Sequence, residues 1–386
     1  MNALIRRLPR QSLPSIRSLQ VQRSLRIVRP KRSGEVHEKN RIVLATLHLL
    51  LVAALALGLP QPPAFAQEAR PPKLIGIQFI GRLVSDLDRS VAFYEALGFE
   101  QDPLAKPTWR TDDIQEQLYD VRGFETRMAK MFTLNQASGQ RFVVYLREIR
   151  GIPRKSHAGH PAWDPGATGL GLIVPDAPAV WEKLRARGLL NARNPDGKLV
   201  APPTAPGEWV GFITDPDGLD IGIVQQRSGL TPGVNNVSLV VKDAARATAF
   251  YGGALGGKLG TAEPRWFSGE YYDASTGGKG NEVRVHMARF PESLAPDKGI
   301  ITYQLVEYRK PEMKVTPRKI TDVGVSYVGI EVHNLAAWVD QAVAAGARIV
   351  SDRPLITMRG TGVTEVMLAD PDTGAFVLLF EMPPPK

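Results

Sequence analysis

Apolar and polar positions alternate along this chain in blocks that recur. The segment Leu74–Val84 is apolar enough for a strand. Asp86 follows where a helix N-cap belongs, then Leu87, Val91, Tyr94 and Leu97 at helical spacing, with Gly98 as the stop. Further strands are expected at Arg127–Leu134 and Arg141–Arg147, so the first block reads β-α-β-β(-β). After Trp163-Asp164-Pro165-Gly166 the order restarts: strand Leu170–Val174, helix Ala177–Gly188, and strands Val210–Ile213 and Ile221–Val224 around the turn Asp215-Pro216-Asp217-Gly218.

The second half repeats this order. Asn236–Val241, Ala245–Leu255, Glu282–Ala288 and Ile300–Tyr308 correspond to the first block. Ser326–Val332, the helix Leu335–Gly346, Val363–Leu368 and Phe376–Phe380 correspond to the second. Two marks fix the offset. Val84-Ser85-Asp86…Phe93-Tyr94…Leu97-Gly98 recurs as Val241-Lys242-Asp243…Phe250-Tyr251…Leu255-Gly256, the aspartates 157 residues apart. Asp215-Pro216-Asp217-Gly218 recurs as Asp370-Pro371-Asp372-Thr373-Gly374, 155 apart. Self-similarity at fixed spacing marks a duplicated structural unit.

Four βαβββ modules in two pairs, carrying D-x(6)-FY and DPDG in this order, resemble the vicinal oxygen chelate superfamily, which includes glyoxalase I, extradiol dioxygenases and the bleomycin-resistance proteins. The resemblance spans residues 73–383 and implies an α+β chain with curved, cup-shaped mixed sheets. The expected division is a leader over 1–66, one such domain over 73–226, a linker at 227–232 and a second domain over 233–383.

Composition bears on location more than on chemistry. The formal charge is +9, but residues 1–66 hold 11 Lys/Arg against 2 Asp/Glu, and the remainder balances at 37 of each. A basic nucleic-acid groove is therefore not expected. A basic stretch, the apolar run Ile42–Leu59, and Ala64-Phe65-Ala66 read as a signal peptide cleaved after Ala66, giving a periplasmic or secreted protein with no membrane contact after cleavage. The rivals are a mitochondrial presequence in the Arg- and Ser-rich residues 1–34 and an uncleaved anchor at Ile42–Leu59. With no cysteine, disulfides and thiolate chemistry are excluded.

The resemblance also implies where metal ligands would stand: seven residues before each helix-capping residue, on the strand closing each odd module, and seven residues after the first Asp of DPDG. These rules lead to Phe79, Tyr145, Gly169 and Gly222 in the first half, and to Asn236, Gln304, Tyr327 and Val377 in the second. None suits a divalent site of the usual imidazole and carboxylate kind. Gln78 stands one residue out of register, facing away unless a bulge intervenes. His157 and His160 read as loop residues, His333 as a strand-to-helix junction, and His286 as a strand residue.

Strand parity sends Asn236, Ser238, Gln304, Tyr327 and Glu331 toward one cup, making the C-terminal domain the expected ligand site. Glu331 is the candidate general base, with an Arg284 ion pair as its bland alternative. The Ser275–Gly280 cluster reads as a loop over the cup, with a lid as the functional alternative. The expected function is binding of a small organic molecule by a monomer or homodimer without a metal cofactor. The alternative is a lyase, isomerase or dioxygenase with Fe, Mn, Ni or Zn at a displaced site drawing on His286, Glu307 or Glu331.

Overall fold

The computed structural model describes residues 71–384 apart from 136–139, 203–206, 228–230, 261–263, 291–300 and 311. The leader, the run Ile42–Leu59 and the expected cleavage after Ala66 lie outside the described residues.

The first module comprises β1 (Lys73–Val84), α1 (Leu87–Ala96), β2 (Glu100–Gln101), α2 (Asp113–Tyr119), β3 (Glu125–Asn135) and β4 (Gln140–Arg150). The second comprises β5 (Thr168–Val174), α3 (Ala177–Ala186), β6 (Val210–Thr214) and β7 (Asp220–Gln225). The third holds β8 (Gly233–Val241), α4 (Ala244–Thr248) continued by a π-turn at Ala249–Ala254, β9 (Lys258–Leu259), α5 (Glu270–Thr276), β10 (Glu282–Arg289) and β11 (Thr302–Lys310). The fourth holds β12 (Ser326–His333), α6 (Leu335–Ala344), β13 (Arg348–Ile349), β14 (Ile356–Thr357), β15 (Thr364–Ala369) and β16 (Phe376–Glu381). The capping logic holds in each module. Asp86, Asp176, Asp243 and Asn334 accept from the first-turn amides of α1, α3, α4 and α6.

The two sheets do not follow the two halves of the chain. One sheet runs β13-β15-β16-β12-β1-β4-β3-β2, joining the first module to the fourth; the other runs β6-β7-β5-β8-β11-β10-β9, joining the second to the third. The junctions are antiparallel, β1 on β12 and β5 on β8. The boundary at 227–232 therefore separates sequence repeats, and each half contributes to both sheets. We call the first the outer sheet and the second the inner sheet. On their convex faces the helices bury one continuous core that includes Phe93, Trp181, Phe250 and Val339.

Side-chain clasps cross the other way, between consecutive modules. In the first half, Ser85 at the start of α1 donates to Asp217 from its amide (3.1 Å) and its hydroxyl (2.6 Å). In the second half, the amides of Lys242 (2.7 Å) and Asp243 (3.2 Å) donate to Asp372. The repeated Asp-Pro-Asp turn is thus both a hairpin turn and a lock on its neighbour's helix. Its first aspartate faces inward. Asp215 takes a bidentate ion pair from Arg82 (2.9 and 3.0 Å) and accepts from Tyr94 Oη (3.2 Å). Arg82, 1% exposed, also donates to Gly324 O and Ser326 Oγ, tying the pair to the fourth module. Burial alone would raise the Asp215 carboxyl; Arg82 overrides it and holds it below the ordinary range.

The pair is not duplicated. Position 82 plus the 157-residue offset is Leu239, so Asp370 has no such cation. Burial pushes Asp370 up, opposed by hydrogen bonds from the Thr373 amide and hydroxyl. Asp215→Asn strands a buried guanidinium. It is expected to cost about 3–5 kcal/mol of unfolding free energy by urea titration, and a loss under about 1 kcal/mol would contradict the role given to this pair.

Candidate functional site

The floor of the inner cup is the β5–β8 pair. Gly169 stands opposite Ser238 and Gly171 opposite Asn236. The glycines are required by space. A Cβ on Gly171 would fall 1.9 Å from Asn236 Nδ2, and one on Gly169 would fall 2.5 Å from Ser238 Oγ. Register then slips, since Leu172 pairs with Val234, leaving Asn235 as an extra residue. This bulge turns two consecutive amides, Asn235 and Asn236, into the cup, where Asn236 Nδ2 donates to Asn235 Oδ1 at 2.9 Å. Parallel pairing of β11 with β8 sets Gln304 beside Ser238.

Apolar walls rise from this floor. Phe212 comes from β6, Val283 and Val285 from β10, and α5 lies across the mouth with Tyr271, Tyr272 and Ser275 lining the space. The cavity measures about 390 Å³, within the range of small-molecule sites. The cover is held at several points. Tyr271 meets Phe212 edge to face at 5.5 Å, Tyr272 stacks on Phe267 at 5.4 Å, and Gly277 at the end of α5 packs against the Arg193 carbonyl. The expected Ser275–Gly280 loop thus begins as the last turn of a short helix over the cup.

Among the described lining residues the one charged group is Asp220, and Arg193 pairs with it at 2.6 Å. Burial raises Tyr271 to about 12. It raises Tyr308 also, with Asp220 adding to the shift and Arg193 opposing it. Both phenols stay protonated at neutral pH and serve as hydrogen-bond donors.

The outer cup uses the same positions with the opposite outcome. Tyr327 lies over Gly81, and Phe79 lies over Gly329. Phe79 meets Tyr145 edge to face at 5.0 Å and leans on Phe380 at 5.5 Å. With Leu118 and Tyr119 of α2 above, these side chains form an apolar plug. A bulge occurs here too, between Ile77 and Phe79, leaving Gln78 as the extra residue. Glu365 on β15 is buried, and burial raises it from 4.5 to about 7 while Arg147 opposes the shift.

Of the five expected ligand residues, Asn236, Ser238 and Gln304 meet in the inner cavity. Tyr327 and Glu331 do not join them, because β12 belongs to the outer sheet. The error lay in assuming that consecutive modules share a sheet. Burial raises Glu331, with His333 opposing, but it stands outside the cavity. Arg284, its suggested partner, pairs with Glu307 instead. Val377 is likewise corrected: Thr373 lengthens the turn by one residue, so Val377 packs in the helix-side core and Leu378 faces the cup. Sequence reasoning missed Asn235, Tyr271 and Tyr272. The bulge at the paired asparagines and the aromatic pair before Ser275 were the available signals.

His286, Glu307 and Glu331 are not brought together, since Glu331 lies on β12 of the outer sheet and His286 and Glu307 on β10 and β11 of the inner one. Val283 and Val285 line the cavity, so alternation carries His286 on the opposite face. Glu307 lies near the amide of Ala244 at 3.5 Å, on the helix side. Among the described residues no group of three His, Cys, Asp or Glu could hold an ion. The cup-facing positions of the inner sheet offer two neutral amides and two glycines, a donor set that does not fit a divalent cation of this fold's usual kind. His157 and His160 are more than loop residues. His157 Nε2 pairs with buried Asp322 at 3.0 Å, and the His160 ring contacts Gly218 O at 2.9 Å. Burial lowers His160.

Residues 233–376 match the model of the Glyoxalase/Bleomycin resistance protein/Dioxygenase superfamily. This segment is a glyoxalase-superfamily domain. The described chain as a whole has the corresponding fold. Glyoxalase I from Zea mays superimposes with a TM-score of 0.52 at 17% identity, over 81% of this chain and 92% of that one. A mutant of the same Zea mays enzyme gives the same score and identity over 80% and 94%. A putative dioxygenase from Bacillus subtilis subsp. subtilis str. 168 gives 0.46 at 14% identity, over 81% and 87%. No curated protein matches the chain in sequence.

Within this glyoxalase-like fold, Glu365 supplies a test of the outer cup. A carboxyl raised on folding stabilises fully below its unfolded value and loses that contribution as pH rises through its folded value. The shift from 4.5 to about 7 corresponds to about 3 kcal/mol. Unfolding free energy is expected to fall between pH 5 and pH 8, and Glu365→Gln to flatten that slope. An unchanged slope would mean that Glu365 is not buried as described.

Proposed function

We propose that this chain binds a small, uncharged organic molecule in the inner cup, without the metal site usual in the superfamily. The observation carrying this reading is the cavity of about 390 Å³, apolar on its walls, amide-lined on its floor and free of unpaired charge. Flat molecules with a carbonyl, amide or hydroxyl edge suit it. Phe212 and Tyr271 offer aromatic faces, and Asn235, Asn236, Ser238 and Gln304 offer donors and acceptors. A carboxylate or phosphate ligand would lose its hydration without meeting a free cation. Burial of apolar surface supplies affinity and the amides supply orientation. The basic, apolar leader ending in Ala64-Phe65-Ala66 supports export, so the ligand is met in the periplasm or outside the cell.

Ligand-observed NMR with neutral aromatic amides and phenols, against benzoates of matched size, tests the reading. Neutral compounds are expected to bind and benzoates not. Asn236→Ala and Gln304→Ala should each weaken binding about tenfold, the loss of one hydrogen bond. Affinities unchanged in both variants would remove the inner cup as the site. Stoichiometric metal in the purified protein, lost with these variants, would favour an enzyme instead.

A further inference from the structure

Polar groups lining the inner cup differ in how much of their hydrogen-bonding capacity is already spent. Asn236 Nδ2 donates to Asn235 Oδ1 at 2.9 Å, so these two carboxamides orient each other. Arg193 occupies Asp220 at 2.6 Å. Gln304 is different. It lines the same cavity from β11, half-buried and beside Ser238 of β8. Among the described residues its carboxamide has no hydrogen-bond partner. Its cross-strand neighbour on β10 is Met287, a thioether with no N–H or O–H to offer.

A free carboxamide makes two demands on one planar edge: its oxygen accepts and its nitrogen donates. Turning the amide over exchanges its two ends and leaves both present. A ligand that displaces water from the floor must meet both, because a polar group left unpaired on burial loses more than a paired one gains. A ketone, ester or ether meets only the nitrogen. An open-chain secondary amide is trans and sends its N–H and C=O to opposite sides, and its cis form is costly. A ring fixes the amide cis, with both groups side by side.

The rest of the ring system has apolar surface to meet. Phe212 and Tyr271 lie edge to face at 5.5 Å, and Val283 and Val285 line the same space. A cavity of about 390 Å³ is near the low end for ligand pockets and limits the ligand to a few rings. Building on the neutral-ligand cup proposed above, we infer that its ligand is a lactam or cyclic imide. The adjacent N–H and C=O pair with the Gln304 carboxamide, and the apolar part lies toward Phe212 and Tyr271.

Ligand-observed NMR titration of the purified protein with hydrocarbostyril, its N-methyl derivative and dihydrocoumarin tests this. The three share one bicyclic frame, and only the first sets an N–H beside its C=O. The lactam is expected to bind about tenfold more tightly than the other two. Gln304→Leu removes both polar atoms at similar size, so the lactam should fall to the level of the lactone while the lactone changes less. Equal affinity of lactam and lactone for the wild type, or a lactam preference that survives in Gln304→Leu, overturns the inference and leaves a neutral-ligand cup in place. Failure of all three to bind the wild type overturns both. Should Gln304→Leu fail to fold, the wild-type ratio decides alone.

Discussion

Close approach of two antiparallel strands at the centre of each sheet governs this molecule. On the concave face, each floor position that carries a side chain faces a glycine, because the curved pair has room for one of the two. Gly81 admits Tyr327, Gly329 admits Phe79, Gly169 admits Ser238 and Gly171 admits Asn236. The backbone is the same in both cups; the size and polarity of the admitted side chain decide the rest. Aromatic rings fill the outer cup and join the plug under α2. Small polar groups leave the inner cup open, with a polar floor.

That arrangement needs four modules held in two different pairings. Backbone ladders join first to fourth and second to third, while the Asp-Pro-Asp clasps join first to second and third to fourth. Neither set alone would fix the four modules. Arg82 belongs to both: it lies on β1 of the outer sheet and holds the Asp215 turn of the inner one. The second half replaces it with Leu239 and keeps Asp370 by hydrogen bonds alone. The duplication has therefore kept geometry more strictly than charge.

Much of this was legible in the sequence. The helix caps, the strand order within each module and the inward Asn236, Ser238 and Gln304 follow from periodicity and the repeat. The partner of each module does not, because hydrophobic alternation says which face of a strand is buried and nothing about which strand lies beside it. That gap is what assigned Tyr327 and Glu331 to the wrong cup. The bulges at Gln78 and Asn235 were equally hidden, since an extra residue breaks the parity on which facing was counted. The repeat carries one further mark. Trp109 and Trp266 are 157 apart. Each lies beneath two arginines, Arg127 and Arg150 in one case and Arg284 and Arg309 in the other. Each precedes the short helix that covers its cup.

The central claim is that the inner cup is open to an organic ligand and the outer cup is closed to one. A crystallographic soak with neutral aromatic fragments reads both cups in one map. The account predicts fragment density over Gly171, within hydrogen-bonding reach of Asn236 or Gln304, and none between Phe79 and Tyr327. Fragments seated in the outer cup, with the inner cavity collapsed onto Tyr271 and Phe212, would contradict it.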